Sequence, residues 1–182
     1  MRIQPQTFPL PSGEILVIRS AEPSDARSQC RHRRLTSGET DFMARYPEEC
    51  TFDPEQIGRE LAATAESPRD FTVTAFLGER VVGDLAVTQV RDRLKLRHRA
   101  NLGISIQRAF WGNGLGRRML EIAIAQARAN GFEQLELGVF ADNPRAIHLY
   151  KSVGFRQYGV LPKAFKLKDG TYRDEVLMVR ML

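Results

Sequence analysis

Residues 103–118, GISIQRAFWGNGLGRR, pass from an apolar strand pattern through a glycine-rich bend into a helical pattern. Gly112, Gly114 and Gly116 stand at alternate positions. Without side chains there, the backbone can approach a bulky anion and aim free amide N–H groups at it, and the positive end of the following helix adds to the attraction. A pyrophosphate has the matching shape and charge. Two other phosphate loops fit less well. A Walker loop places Lys and then Ser or Thr after its last glycine, whereas Arg117 and Arg118 follow here. A dinucleotide fingerprint spaces its glycines G-x-G-x-x-G early in the fold, which sets aside a nicotinamide oxidoreductase. A glycine-rich turn with no ligand is the plain alternative.

C-terminal to the bend, Leu115, Met119, Ile122, Ala123 and Ala127 fall on one broad side of a helix that Gly131 closes. Leu135, Leu137 and Val139 alternate as a strand, and Asn143 with Pro144 opens a short helix ending at Gly154. Two further strands flank a turn at Asp169-Gly170, the last from Tyr172 to Met181. N-terminal to the bend, 100–106 reads as a strand, and 71–77 pairs with 81–90 as a hairpin through Gly78-Glu79. Asp53, Pro54 and Gln56 start a helix that runs to about Ala65. A less periodic helix runs from Pro23 to about Leu35, where Ser37-Gly38-Glu39 breaks it, and 14–19 suits a buried strand. Arg91, Arg93, Lys95, Arg97 and Arg99 alternate with Leu94, Leu96 and His98, the mark of a strand with one basic face. The order β-α-α-β-β-β-α-β-α-β-β mixes hairpins with crossovers. It predicts an α/β fold with a mixed sheet of about seven strands and about four helices.

A chain of 182 residues suits a single domain spanning 1–182. Apolar residues at 42% and charged residues at 27% exclude a disordered or fibrous chain, and the net charge of +5 favours anionic ligands without choosing among them. No apolar run is long enough to cross a bilayer, and the first residues carry no secretory pattern. Cys30 and Cys50 lack metal-ligand spacing and read as reduced thiols. A cytoplasmic protein with no metal and no membrane partner is expected.

The block Val139, Asn143, Ala146, Leu149-Tyr150 and Gly154-Phe155, together with the glycine bend, resembles the GNAT superfamily of N-acetyltransferases. The family's phosphate loop reads Arg/Gln-x-x-Gly-x-Gly/Ala shortly after a strand. Gly114 and Gly116 match its glycines, and Trp111 departs from its Arg/Gln. The stretch 169–178, DGTYRDEVLM, looks like the family's closing hairpin. Motifs carry the resemblance over 70–182, and the order of elements carries it over 14–69.

The resemblance implies an acetyl-CoA cosubstrate lying in a sheet splayed between the fourth and fifth strands of the predicted order, about 100–106 and 134–140. Ile104, Ser105 and Ile106 would meet the pantetheine arm, with Ile104 and Ile106 as its backbone partners. Trp111, Gly112, Asn113, Gly114, Leu115, Gly116 and Arg117 would hold the pyrophosphate, Asn143 would bond the cofactor near its pantetheine end, and Arg117, Arg118 or Lys151 would reach the ribose phosphate. A neutral amine, from a small molecule or a protein, would attack the thioester directly. The N–H of Ile106 would stabilise the oxyanion, Tyr150 would act as general acid, and His98 or Glu175 as base. The plain readings are a core aromatic at Tyr150 and a simple helix cap at Asn143. Acceptor recognition is expected in 40–52, with apolar surface from Phe42, Met43, Tyr46 and Phe52 and negative charge for an ammonium from Glu48 and Glu49. A homodimer through edge strands is expected, and a nucleic-acid partner is not. The alternative is a non-catalytic acyl-CoA-binding regulatory module that contacts nucleic acid through the basic stripe 91–99.

Overall fold

Strand β3 (Phe71–Leu77) is buried along nearly its whole length, as a central strand covered on both faces must be. The computed structural model describes residues 2–182, and around β3 it builds one eight-stranded sheet in the order β1-β2-β3-β4-β5-β6-β8-β7. The other strands are β1 (Gln6–Pro9), β2 (Ile15–Arg19), β4 (Arg80–Gln89), β5 (Arg99–Ile106), β6 (Gln134–Phe140), β7 (Arg156–Lys166) and β8 (Tyr172–Met181). The helices are α1 (Ala26–Glu39), α2 (Pro54–Glu66), α3 (Leu115–Ala129) and α4 (Pro144–Ser152). Every strand pair is antiparallel except β5 with β6.

Neighbouring residues of β4 show how the layers divide. A side chain at Gly83 would meet Met119 of α3, whereas the Asp84 carboxylate accepts from Gln29 of α1 at 2.9 Å. Successive strand residues point to opposite faces, so α1 and α3 lie on opposite sides of the sheet. The main core forms on the α3 side from Val73, Leu85, Val87, Ala100, Met119 and Leu135; a smaller cluster of Ala26, Cys30, Ile57 and Leu61 joins α1 to α2.

Three readings change. A short strand, β1, precedes the expected first one and raises the count to eight. Helix α1 continues through Ser37 and Gly38 to Glu39. Its hydroxyls bond back into the helix, Thr36 to His32 O and Ser37 to Arg33 O at 2.9 Å each, so polar residues that favour a break are absorbed. The basic stripe 91–99 is not a strand face. Arg93 donates to Arg91 O, Leu96 to Arg93 O and Arg99 to Leu96 O, a run of tight turns between β4 and β5. The chain must reverse between antiparallel strands, and the reversal also disperses cations that a flat strand would align. Leu94 at the tip is 82% exposed, and only Arg99 enters β5.

Candidate functional site

The parallel β5–β6 ladder holds only at Arg99–Gln134, Ala100–Leu135 and Asn101–Glu136, after which the strands part while β6 stays paired with β8 to Phe140. An Arg99–Glu136 ion pair pins the closed end, and that guanidinium holds the Glu136 carboxyl below the usual carboxylate range. The bonds Gln107 N–H to Val82 O and Val90 N–H to Arg99 O fix the phase of the β4–β5 ladder. Asn101, Gly103 and Ser105 therefore turn their backbone polar groups toward β4, and Leu102, Ile104 and Ile106 turn theirs toward the gap. The Trp111 indole N–H takes the Ile106 carbonyl at 2.7 Å, which leaves the Ile106 N–H as that residue's free backbone group. Strand groups facing a dry, empty gap would be costly, and a chain of amides is the natural complement.

The bend closes one mouth of this gap. Gly112 and Gly114 both have φ of 79°, a conformation that side-chain-bearing residues rarely adopt, and Gly114 caps α3. At Gly116 space decides: a Cβ would lie 3.0 Å from Leu149 and 3.3 Å from Ile106. The first N–H groups of α3, from Leu115 onward, have no acceptor inside the helix. Asn113 lies between the two left-handed glycines. Arg145 lies 4.5 Å over the Trp111 ring and Arg108 5.6 Å from it, which sets guanidinium groups beside the bend where the expected Arg/Gln is missing. Arg145 carries no motif signal of its own, and only the docking of α4 beside the bend reveals it. Arg117 pairs with Glu121 and Arg118 with Gln6, while Lys151 sits in the last turn of α4. Asn143 caps α4 by accepting from Ala146 N at 3.1 Å, so its amide N–H₂ is the end left for a ligand. Tyr150 is 8% exposed and packs edge-on to Phe155. Burial pushes its phenol up to about 12, and among the described residues no group hydrogen-bonds its hydroxyl.

On the α1 side of the gap, the Ser105 hydroxyl meets His32 Nε2 at 2.9 Å. Across from it the Glu175 carboxylate occupies the space a side chain on Gly138 would fill, against the parted stretch of β6. His98 lies at the closed end, where its carbonyl accepts from Glu133 and Gln134, the full length of β5 away from Ile106.

A cavity of about 550 Å³ opens where β6 ends, lined by Arg45, Tyr46, Phe140, Phe165, Lys166 and Arg173 among others. Phe140 and Phe165 stack at 3.8 Å, with Phe42 edge-on at 5.8 Å. Lys168 of the β7–β8 hairpin straps it, donating its N–H to the Tyr46 hydroxyl and pairing with Glu48. Glu49 accepts from Tyr46 N, and Phe52 packs on the α1–α2 cluster instead. The expected acceptor loop thus lines the cavity through Met43 and Tyr46, but both of its glutamates are engaged. Phe165, Lys166 and Arg173 escaped sequence reading because they come from a hairpin more than a hundred residues away. Among the described residues no group of His, Cys, Asp and Glu could hold a metal ion, and no helix is long and apolar enough to cross a membrane.

Residues 35–155 match the Acetyltransferase (GNAT) family. The chain is 31% identical over 121 residues, covering 64% of this chain and 72% of the relative, to an L-amino acid N-acetyltransferase of Escherichia coli. It is 32% identical over 114 residues, covering 63% of this chain and 67% of the relative, to an N-alpha-acetyltransferase of Mycobacterium tuberculosis. Among solved structures, a GNAT-family acetyltransferase from Streptococcus pneumoniae superposes with a TM-score of 0.88 at 33% identity, covering 92% of this chain and 99% of that one. An acetyl-CoA complex from Salmonella typhimurium, with a TM-score of 0.79 at 22% identity over 92% of this chain and 94% of that one, shares the fold.

Proposed function

The chain belongs to the acetyltransferase (GNAT) family, and from that premise we propose how its residues divide the work of an N-acetyltransferase that uses acetyl-CoA. Acetyl-CoA supplies an acyl group already activated as a thioester. Ile104 and Ile106, with Ser105 between them, meet the pantetheine amides. The N–H groups of the bend from Gly112 through Asn113, Gly114, Leu115 and Gly116 to Arg117 hold the diphosphate, beside the Trp111 ring. Asn143 adds its amide N–H₂. The observation that carries this reading is the gap beyond Asn101, lined by outward-facing strand groups and ending at an amide-rich bend.

Catalysis then needs three things of the protein. The Ile106 N–H, with its carbonyl already engaged by Trp111, stabilises negative charge on the thioester oxygen. Tyr150 keeps its proton at neutral pH and delivers it, or a hydrogen bond, to the departing sulfur. Glu175, lying against Gly138 beside the gap, takes the proton from the incoming ammonium. His98 is set aside for this task by its place at the closed end. The relatives are named for L-amino acids and for α-amino groups, and we assign a primary amine as the acceptor.

We read residues 1–182 as one catalytic domain working in the cytoplasm, where its two buried free thiols stay reduced. The edge strand β7, with exposed Tyr158, Val160 and Leu161, is the surface we assign to a homodimer. The regulatory alternative loses its basic strand face, because 91–98 is a turn.

Tyr150→Phe tests the central assignment. It should lower kcat by about 10²–10⁴, read as free thiol release from acetyl-CoA, with acetyl-CoA still raising the melting temperature. Unchanged turnover would remove Tyr150 from the chemistry.

A further inference from the structure

Arg180 of β8 is a cation without a counterpart. Its Nε is buried with no hydrogen-bond partner, and no carboxylate among the described residues lies within ion-pair distance of its guanidinium. Burial, and then the like charge of Arg128, pull its pKa down, which is the mark of a charge held where the fold alone does not favour it. A side chain on Gly154 would fall on this guanidinium, so the bare turn after α4 is what leaves it room. A buried charge of this kind is costly unless something else supplies the counter-charge.

The guanidinium lines a cavity of about 390 Å³ between α3, the turn 152–154 and β8. Four charged residues border it: Arg117, Glu121, Arg128 and Arg180. The one carboxylate is engaged, since Glu121 pairs with Arg117 at 2.9 Å. Arg128 has no carboxylate partner among the described residues, so two like charges face the same space uncompensated. The ends of α3 and α4 lie close by, but their last carbonyls have donors of their own. Val153 N–H reaches Tyr150 O, Gly154 N–H reaches Lys151 O, the Ser152 hydroxyl reaches Leu149 O, and Gly131 N–H reaches Arg128 O. Helix capping therefore does not account for the two arginines. Ile124, Ala125 and Val153 make the rest of the wall apolar. Arg128 stands in the last turn of α3, roughly 16 Å along the helix from Arg117 at 1.5 Å per residue. The uncompensated charge is thus set well away from the glycine bend.

We propose that Arg128 and Arg180 form a second anion site, for a phosphate group that does not belong to the cosubstrate: inorganic phosphate or a small phosphate monoester. Two guanidinium groups offer paired N–H donors to the oxygens of a doubly charged anion, and the apolar wall takes the carbon part of an ester. The volume is that of a small-molecule site. Its occupant bridges α3, which follows the bend, and the turn after α4, the helix of Tyr150, and so ties together two helices that frame the gap. The site stands apart from the acetyltransferase reading, because it is built from charges outside the gap.

The test measures binding of inorganic phosphate and of phenyl phosphate to the full chain by calorimetry and thermal shift, at constant ionic strength set with sodium chloride. Both anions should raise the melting temperature above the chloride control. Tighter binding of phenyl phosphate would mark an ester as the natural occupant, and tighter binding of inorganic phosphate the free ion. Arg128→Gln and Arg180→Met should each weaken binding by about tenfold or more, and the double variant should add little to either. Arg59→Gln, which removes a cation from α2, should leave binding as it was. In phosphate-free buffer Arg180→Met should melt no lower than the wild type, since an apolar chain of similar length replaces a buried charge that has no partner. A lower melting temperature there would return Arg180 to a structural role and overturn the proposal. So would a phosphate effect no larger than that of chloride, or equal losses in Arg59→Gln. Competition by coenzyme A that dephospho-coenzyme A fails to reproduce would also overturn it, because the pocket would then hold the cosubstrate's own ribose phosphate.

Discussion

Tyr150 owes its chemistry to where it is buried. A phenol held near 12 against an ordinary value of 10.0 stays a donor at every pH at which the enzyme would work. The same shift links it to stability. The folded state keeps the proton more tightly than the unfolded one, so the contribution is fully present below about pH 10 and is lost as pH rises toward 12. Tyr150→Phe should therefore unfold less steeply than the wild type over that interval, as pH-dependent melting would read. Gly138 is the second decisive position. A methyl group there would occupy the space of the Glu175 carboxylate, which would have to swing away from the gap. Gly138→Ala should cut kcat much more than it lowers the melting temperature. Added to Glu175→Gln it should cost little further activity, because both act on one group. Equal losses in the single and double variants would bear out that shared route, whereas additive losses would separate the two residues.

At the scale of elements, the site depends on β5 and β6 pairing at one end and not at the other. The Arg99–Glu136 pair holds the closed end. Its guanidinium lowers the Glu136 carboxyl, so this stabilisation is present above the ordinary value of 4.5 and is lost as pH falls through the lower folded value. Glu136→Gln should cost about 1–2 kcal/mol at neutral pH, with the carboxylate buried and its Arg99 partner partly exposed, and should flatten the acid limb of stability. Denaturant melts at several pH values would show it. These elements were legible to different degrees. The bend, α3 and α4 are written locally: glycines where φ is positive, Asn143 and Pro144 at a helix start. The reach of α1 was not, because Ser37 and Gly38 read as a break until the bond to Arg33 O holds the last turn together. Alternation of Arg and Leu over 91–99 satisfied a strand pattern, yet nothing within that stretch reports that β4 must turn back there. In sequence Trp111 is only a departure from the family's Arg/Gln, and its bond to Ile106 O and its neighbour Arg145 become visible only once β5, the bend and α4 meet.

Across the whole molecule, a buried polar network ties α1 to the sheet directly behind the gap. His32 is fully buried; its Nε2 meets Ser105, and its Nδ1 lies 3.4 Å from Gln107, whose amide also donates to Val81 O at 2.7 Å. Asp84 accepts from Gln29 and Thr74 nearby. None of this could be read from His32 in sequence, where it is one polar residue in a weakly periodic helix, since its partners lie on β4, on β5 and just beyond. Desolvation is the main influence on the ring and lowers its pKa, with Arg33 acting in the same sense and Asp84 opposing. The imidazole is thus neutral in the folded protein and takes up a proton more readily when unfolded. Its stabilisation is present above the ordinary value of 6.5 and is lost as pH falls through the folded value. His32→Gln removes that titration while keeping a hydrogen-bonding side chain. Its melting temperature should depend less on pH than the wild type's below about 6.5, even if it is lower at pH 8. Parallel wild-type and variant curves through that range would show that the charge on His32 does not couple α1 to the sheet.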